Sequence, residues 1–181
     1  RGARGRPVGA REHRGLRVSA EDVDPGATVG QPGIDPRGPR FGAAITAALL
    51  LVVVGLALSG QSVAATATLA ALVAIFAWGA FAGIRRHPWG RLYARLVAPR
   101  LAPPAHREDP AAPTFAQLVG FLITGAGLVL HLLGVPGALV VAASMAFIAA
   151  FLNAVFDYCL GCQLYVLLVR VGIIRRSASP A

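Results

Sequence analysis

FGAAITAALLLVVVGLALS (Phe41–Ser59) is an uninterrupted apolar run without one charge. As a helix rising about 1.5 Å per residue, a run of about 20 residues matches a hydrocarbon core about 30 Å thick. A helix that is apolar on every side has no face to turn to water, so this stretch reads as a membrane span. Three further apolar blocks follow: Val63–Ile84, Phe115–Leu133, and a fourth that begins near Ala138. Gly60-Gln61-Ser62 and Gly134-Val135-Pro136-Gly137 separate blocks one from two and three from four. Turns that short force antiparallel helical hairpins. The fourth block stays largely apolar to Val169, broken mainly by Asn153, Asp157 and Gln163. It is too long for one upright helix, and its pattern predicts a membrane helix to about Phe156, a break, and a short interfacial helix.

Composition agrees. Of 181 residues, 56% are hydrophobic and 14% charged, where a soluble domain carries about 25% charged residues. Mean hydropathy is +0.65. The net charge of +9 comes from 17 basic residues, every one an arginine. With the abundant Ala, Gly and Val, that usage reads as a GC-rich genome. The arginines lie almost entirely outside the apolar blocks, as a membrane protein requires. No groove-reading or base-stacking motif accompanies them, so nucleic acid is excluded as a partner, and the first partner is the lipid bilayer.

The expected fold class is all-α: a polytopic membrane protein with four transmembrane helices as two related hairpins, plus short interfacial helices. Residues 1–34 are rich in Gly, Pro and Arg and read as a disordered basic tail. The opening RGARGRP lacks the apolar region of a cleaved leader, so none is expected. Residues 35–170 form the membrane domain, with hairpin repeats at 41–84 and 115–157 around a cytoplasmic loop at 85–114. Residues 171–181 are a C-terminal tail. The N-terminal tail, the loop and Arg170, Arg175 and Arg176 are basic, whereas the two tight turns carry no arginine. The positive-inside rule then places both termini and the loop in the cytoplasm.

The hairpins read as copies. Asp35-Pro36-x-x-Pro39-x-Phe41 opens the first and Asp109-Pro110-x-x-Pro113-x-Phe115 the second. Proline suits the residues just before and inside a helix start. After each hairpin comes L-Y-x-x-L-V, at Leu92–Val97 and Leu164–Val169. In that register His87-Pro88-Trp89-Gly90 takes the slot of Cys159-Leu160-Gly161-Cys162. Each unit returns to its starting side, so the repeat is parallel, with a pseudo-two-fold axis along the membrane normal. Gly55 and Ser59 in the first helix and Gly120, Gly125 and Gly127 in the third are small residues that let membrane helices approach closely.

The chemistry centres on Cys159-Leu160-Gly161-Cys162, which holds both cysteines of the chain. A C-x-x-C that opens a helix sets its first thiol beside unpaired N–H groups and the positive dipole end, which favours thiolate. Three readings fit. The pair is a redox or sulfur-transfer site, or two small apolar residues packing in the bundle, or half of a metal site. Structural zinc needs four ligands; this chain offers Cys159, Cys162 and His87, and a dimer would offer four thiolates. A stable disulfide is not expected on the cytoplasmic side, where thiols stay reduced. In the redox reading Cys159 is the nucleophile and Cys162 the resolving thiol, with Arg85, Arg86 and His87 stabilising an anion. Asn153 and Asp157, spaced i and i+4, are expected on one helix face, with Asp157 either paired to Arg85 or Arg86 and ordering the motif, or reaching interfacial water. His131, near the outer end of helix three, reads as a satisfied interfacial group. The alternative is a non-enzymatic small transporter or scaffold whose cysteines serve packing or metal binding.

I-D-P-R-G-P-R-F (34–41), D-P-x-x-P-x-F-A-Q (109–117) and F-L-N-A-V-F-x-Y-C-L-G-C-Q-L-Y (151–165) together resemble an uncharacterised bacterial membrane family, the domain of unknown function numbered 4395. The resemblance covers about 31–170, and C-L-G-C-x-L-Y is its most specific element. It implies a small multi-helix protein of the bacterial cell membrane carrying this cysteine motif, with no established activity, and a thioredoxin-like or sulfurtransferase protein as partner.

Overall fold

The structure, a computed structural model, describes residues 33–174. Most of the basic tail expected to be disordered, together with Arg175 and Arg176, lies outside the described residues. Four helices are long and apolar enough to cross a membrane: α1 (Arg37–Leu58), α2 (Ser62–Ala82), α4 (Ala111–Leu132) and α5 (Ala138–Phe156). Two shorter helices, α3 (Pro88–Leu96) and α6 (Leu160–Arg170), each follow a hairpin. The described residues are thus all-helical, a multi-pass membrane protein.

Both hairpins begin earlier than the apolar runs suggest. Hydropathy marks where charge stops, whereas the backbone starts its helix at the Asp-Pro pair. Asp35 Oδ1 accepts the N–H of Arg37 at 3.0 Å, and Asp109 Oδ1 accepts that of Ala111 at 2.9 Å. Each carboxylate satisfies an N–H that the first turn leaves free, so Arg37 and Arg40 fall within α1. The predicted break in the fourth block is present. α5 stops at Phe156, and Asp157 follows in the left-handed region at φ 58°, which short polar side chains tolerate better than most. Asp157 therefore leaves the helix, and the expected i, i+4 face shared with Asn153 does not form.

α1 packs on α5 and α2 on α4, with each hairpin's own helices alongside. Leu50, Val53, Leu69, Leu72, Leu139 and Ala143 fill the centre. Leu51, Val52, Phe81, Leu122 and Ile148 are exposed on the outside, as a lipid-facing surface requires. Lipid is as apolar as leucine, so close packing must hold the helices together. Gly120 and Gly127 serve it: a methyl on Gly120 would sit 2.6 Å from the Phe76 ring, and one on Gly127 would overlap Ala142. Gly55 does not, because it is exposed with nothing near it.

Residues that correspond in the repeat register make corresponding contacts. The Phe41 and Tyr93 rings lie 5.9 Å apart at 50°, and Phe115 and Tyr165 lie 5.7 Å apart at 48°. Gly42 packs on Trp89, and at the matching place Ala116 packs on Gly161. Gly60 and Gly134 close the two turns at φ 80° and 85°. Gly83 and Asp157, both at positive φ, end α2 and α5. Ile34 and Glu108, which also correspond, bond to each other reciprocally, N–H to carbonyl, at 2.9 and 3.0 Å. Two counterparts bonded reciprocally in this way straddle a pseudo-two-fold axis.

The glycines give an internally controlled test. Gly127→Ala should destabilise the helix bundle by about 1–3 kcal/mol through overpacking. Gly125→Ala, where the nearest atom is Val73 Cγ1 at 3.9 Å, should be nearly neutral. Thermal unfolding in detergent reads the difference, and equal melting temperatures would contradict the α4–α5 contact.

Candidate functional site

Between the two halves, at the end where α1 and α4 begin and α2 and α5 finish, lies a cavity of about 990 Å³. Its mouth carries Asp35, Arg40, Arg85, Asp157, Cys159 and Cys162. Asp35, Arg85, Asp157 and Cys159 sit on backbone outside the α-helices, and Arg40 and Cys162 lie in the first turns of α1 and α6.

Cys159 is the N-cap of α6 and accepts the N–H of Cys162 on its sulfur at 3.3 Å. The Cys162 thiol lies beside that sulfur and favours its charged form. This thiol, with the N–H groups of Cys162 and Gly161, holds Cys159 below the ordinary thiol range against burial and the Glu108 carboxylate. The Cys159 sulfur, then burial, push the Cys162 thiol the other way, well above that range. The two cysteines are free, half-buried and chemically unequal. Gly161 is required beneath them, since a methyl there would meet Ala116 at 2.6 Å.

His87 occupies the matching N-cap, that of α3, but points to different chemistry. It is 3% exposed. Burial lowers its pKa from 6.5 to about 4, so it is neutral at pH 7 and brings no charge to a thiolate. Arg85 reaches the cavity wall, and Arg86 does not. None of Arg85, Arg86 and His87 is among the groups that shift Cys159. The arginine paired with Asp157 is Arg40, with Nε 3.4 Å from Oδ1. Arg40 also donates to the Ala154 carbonyl at 3.3 Å, at the negative end of α5. In the other half Thr114, the counterpart of Arg40, accepts the N–H of Ile84 at 3.3 Å just past α2. Both first turns therefore fasten to the partner hairpin's far end. Arg40 was missed because the apolar run starts after it, although it lies within D-P-R-G-P-R-F.

No three His, Cys, Asp or Glu side chains among the described residues lie close enough to hold a metal ion. Cys159, Cys162 and His87 share one cavity without forming a ligand set. His131 is satisfied as expected, its Nε2 3.0 Å from Thr66 Oγ1. Asp35 is gripped by Arg37 at 2.8 Å and by the Tyr93 hydroxyl at 2.9 Å. Burial alone would raise its pKa, and these bonds lower it.

A family model described as "Domain of unknown function (DUF4395)" matches residues 34–170. The chain belongs to the DUF4395 family. No curated protein and no solved structure matches it. The family match spans both hairpins, α3, α6 and every residue of the cavity mouth named above.

Three polar atoms in the cavity wall are buried without a hydrogen-bond partner among the described residues: His87 Nε2, Trp89 Nε1 and Gln117 Oε1. Each such atom costs about 1–3 kcal/mol if left unmade. Gly79 brings two of these residues together, since a methyl there would lie 2.8 Å from His87 Cδ2 and 2.6 Å from Gln117 Cγ. Trp89 and Gln117 were not singled out in the sequence. The signal was in the quoted motifs, in H-P-W-G and at the end of D-P-x-x-P-x-F-A-Q.

Two tests follow from this geometry. Cys162→Ser removes the thiol donor with the weaker acid, so the pH midpoint for Cys159 alkylation should change; an unchanged midpoint would show that Cys162 does not set Cys159 reactivity. His87 binds its proton near pH 6.5 unfolded but only near 4 folded. Between those values the unfolded chain binds more protons, so stability should fall as pH drops from about 6.5 towards 4. The loss is of order 3 kcal/mol, and His87→Phe should flatten that part of the stability–pH curve.

Proposed function

We propose that this protein is a membrane thiol–disulfide exchanger, built from two copies of one hairpin-plus-short-helix unit of which only the second carries cysteines. The observation that supports this reading most is the inequality of the two thiols. Cys159 caps the start of α6 on a cavity wall with its pKa lowered, and Cys162 beside it has its own raised.

The exchange balances without a further reactant. The Cys159 thiolate attacks one sulfur of a substrate disulfide, that S–S bond breaks, and the first substrate thiolate leaves. Cys162 gives its proton to the departing thiolate and attacks Cys159 Sγ in the mixed disulfide. The second substrate sulfur leaves as thiolate and takes its proton from water, and the protein holds Cys159–Cys162 as a disulfide. Two protein thiols are oxidised, and one substrate disulfide is reduced to two thiols. The left-handed residue Asp157 and its bond to Arg40 fix the chain two residues before the nucleophile. With the arginine-bearing end in the cytoplasm, the substrate disulfide belongs to a cytoplasmic thioredoxin-like protein or a small thiol. The bundle then anchors the reaction at the bilayer surface.

The test uses oxidised glutathione and the full chain in vesicles. Cys162→Ser should trap a glutathione adduct on Cys159, and Cys159→Ser should trap none. Wild type should pass to an intramolecular disulfide. A membrane-impermeant maleimide should label Cys159 in inverted vesicles only. Cysteines inert to glutathione and maleimide alike would leave the pair as packing. Labelling from the outer side alone would reverse the orientation.

A further inference from the structure

The corner formed by His87, Trp89 and Gln117 carries a chemical demand that the thiol pair does not meet. Its three buried polar atoms have no partner among the described residues, and His87 is over nine-tenths buried. The corner is built, because Gly79 leaves room for both His87 and Gln117. It is part of the cavity that Cys159 and Cys162 also line.

That cavity does not end at the corner. Its wall includes Thr46, Phe76, Ile123, Met145 and Ala146, which belong to the membrane-spanning helices. From Arg37 to Thr46 at about 1.5 Å per residue, the cavity reaches about 14 Å into the bundle. Its mouth is polar and sulfur-bearing, and its floor is apolar. A volume of about 990 Å³ is at the upper end for small-molecule sites.

Four properties of an occupant follow. It has a polar head, because buried donors and acceptors wait for it. It is uncharged there, because a neutral imidazole and an apolar floor would oppose an ion. It has an apolar body long enough to run along the floor. Beside a dithiol poised for oxidation, it is an electron acceptor. We propose that the cavity binds an isoprenoid quinone, its ring held at His87, Trp89 and Gln117, and that this quinone oxidises the Cys159–Cys162 dithiol.

This rests on the thiol-exchange reading and runs that exchange in the opposite direction, with quinone in place of the substrate disulfide as oxidant. The dithiol loses two electrons and two protons as the Cys159–Cys162 bond forms, and the quinone gains both as quinol. The indole N–H of Trp89 donates to a quinone oxygen. An imidazole and a primary amide each carry donors and acceptors, so His87 and Gln117 suit the quinone, which only accepts, and the quinol, which also donates. The cycle then runs from the substrate side with dithiols in place of disulfides: a cytoplasmic dithiol reduces the Cys159–Cys162 bond, and quinone restores it.

The test uses the full chain in lipid nanodiscs. Trp78→Phe alters a half-exposed, lipid-facing residue and leaves Trp89 as the remaining tryptophan. In that background with Cys159→Ser, a decyl-tailed benzoquinone should quench Trp89 saturably, and Gln117→Leu should weaken binding about fivefold or more. Decylbenzene, the same tail without carbonyls, should not compete. In wild type, the reduced protein should convert about one quinone to quinol per disulfide formed, and Cys159→Ser should convert none. Equal competition by decylbenzene would make the cavity a site for acyl tails. Absence of saturable quenching would leave the corner to water. Quinone bound but not reduced would also overturn the proposal. None of these results touches glutathione exchange at Cys159, so the two readings fail separately. The competition and reduction arms use unaltered site residues, so a poorly folded Gln117→Leu does not rescue the idea.

Discussion

Backbone N–H and C=O groups in hydrocarbon have no water to bond to, and the rest of this structure is arranged around that constraint. Each apolar run closes as a helix, and every departure from helix is pushed to the ends of the bundle. One end carries two short glycine turns. The other end carries everything irregular that has chemistry: the Asp-Pro starts, the left-handed Asp157, the N-caps His87 and Cys159, and the Ile34–Glu108 crossing. Concentrating the irregular backbone at one end also concentrates the polar side chains there, and a cavity forms between them.

The second organising feature is a scaffold used twice and filled differently. Ring contacts, turn glycines, helix starts and the reciprocal bond at the axis correspond between halves. The filling does not. Trp89 lies against Gly42 where Gly161 lies against Ala116, so bulk in the first half is exchanged for space in the second. That exchange turns one helix start into a closed, neutral, hydrogen-bonding corner. It leaves the other open enough for a sulfur pair on the cavity wall. Two helix starts alike in backbone thus present unlike side chains to a common volume.

Electrostatics at the mouth follow from the same arrangement. Arginines are numerous in the sequence, yet the shift at Cys159 comes from its own helix start and from its neighbour thiol. Arg40 and Arg37 are taken up with Asp157 and Asp35. The arginines at the mouth serve helix-end attachment, and the shift at Cys159 depends on short-range hydrogen bonds, which salt screens far less than exposed charge pairs.

The apolar runs, the short turns and the spacing of Asp-Pro and L-Y-x-x-L-V were enough to determine four spans, two hairpins, the break after Phe156 and the helix opening at Cys159. Those features are local: span length, turn length and N–H groups at a helix start depend on neighbours in the chain. Tertiary structure alone decided that Asp157 meets Arg40, that Gly127 packs while Gly55 does not, and that His87 is buried and neutral. It also brought Gly79, Trp89 and Gln117 into one corner. Each of these depends on which helix face meets which neighbour, and an all-apolar helix carries no periodic stripe from which to read that face. In a membrane the inside and the outside of a bundle are both apolar, so close packing selects the faces, and packing is a property of the assembled helices.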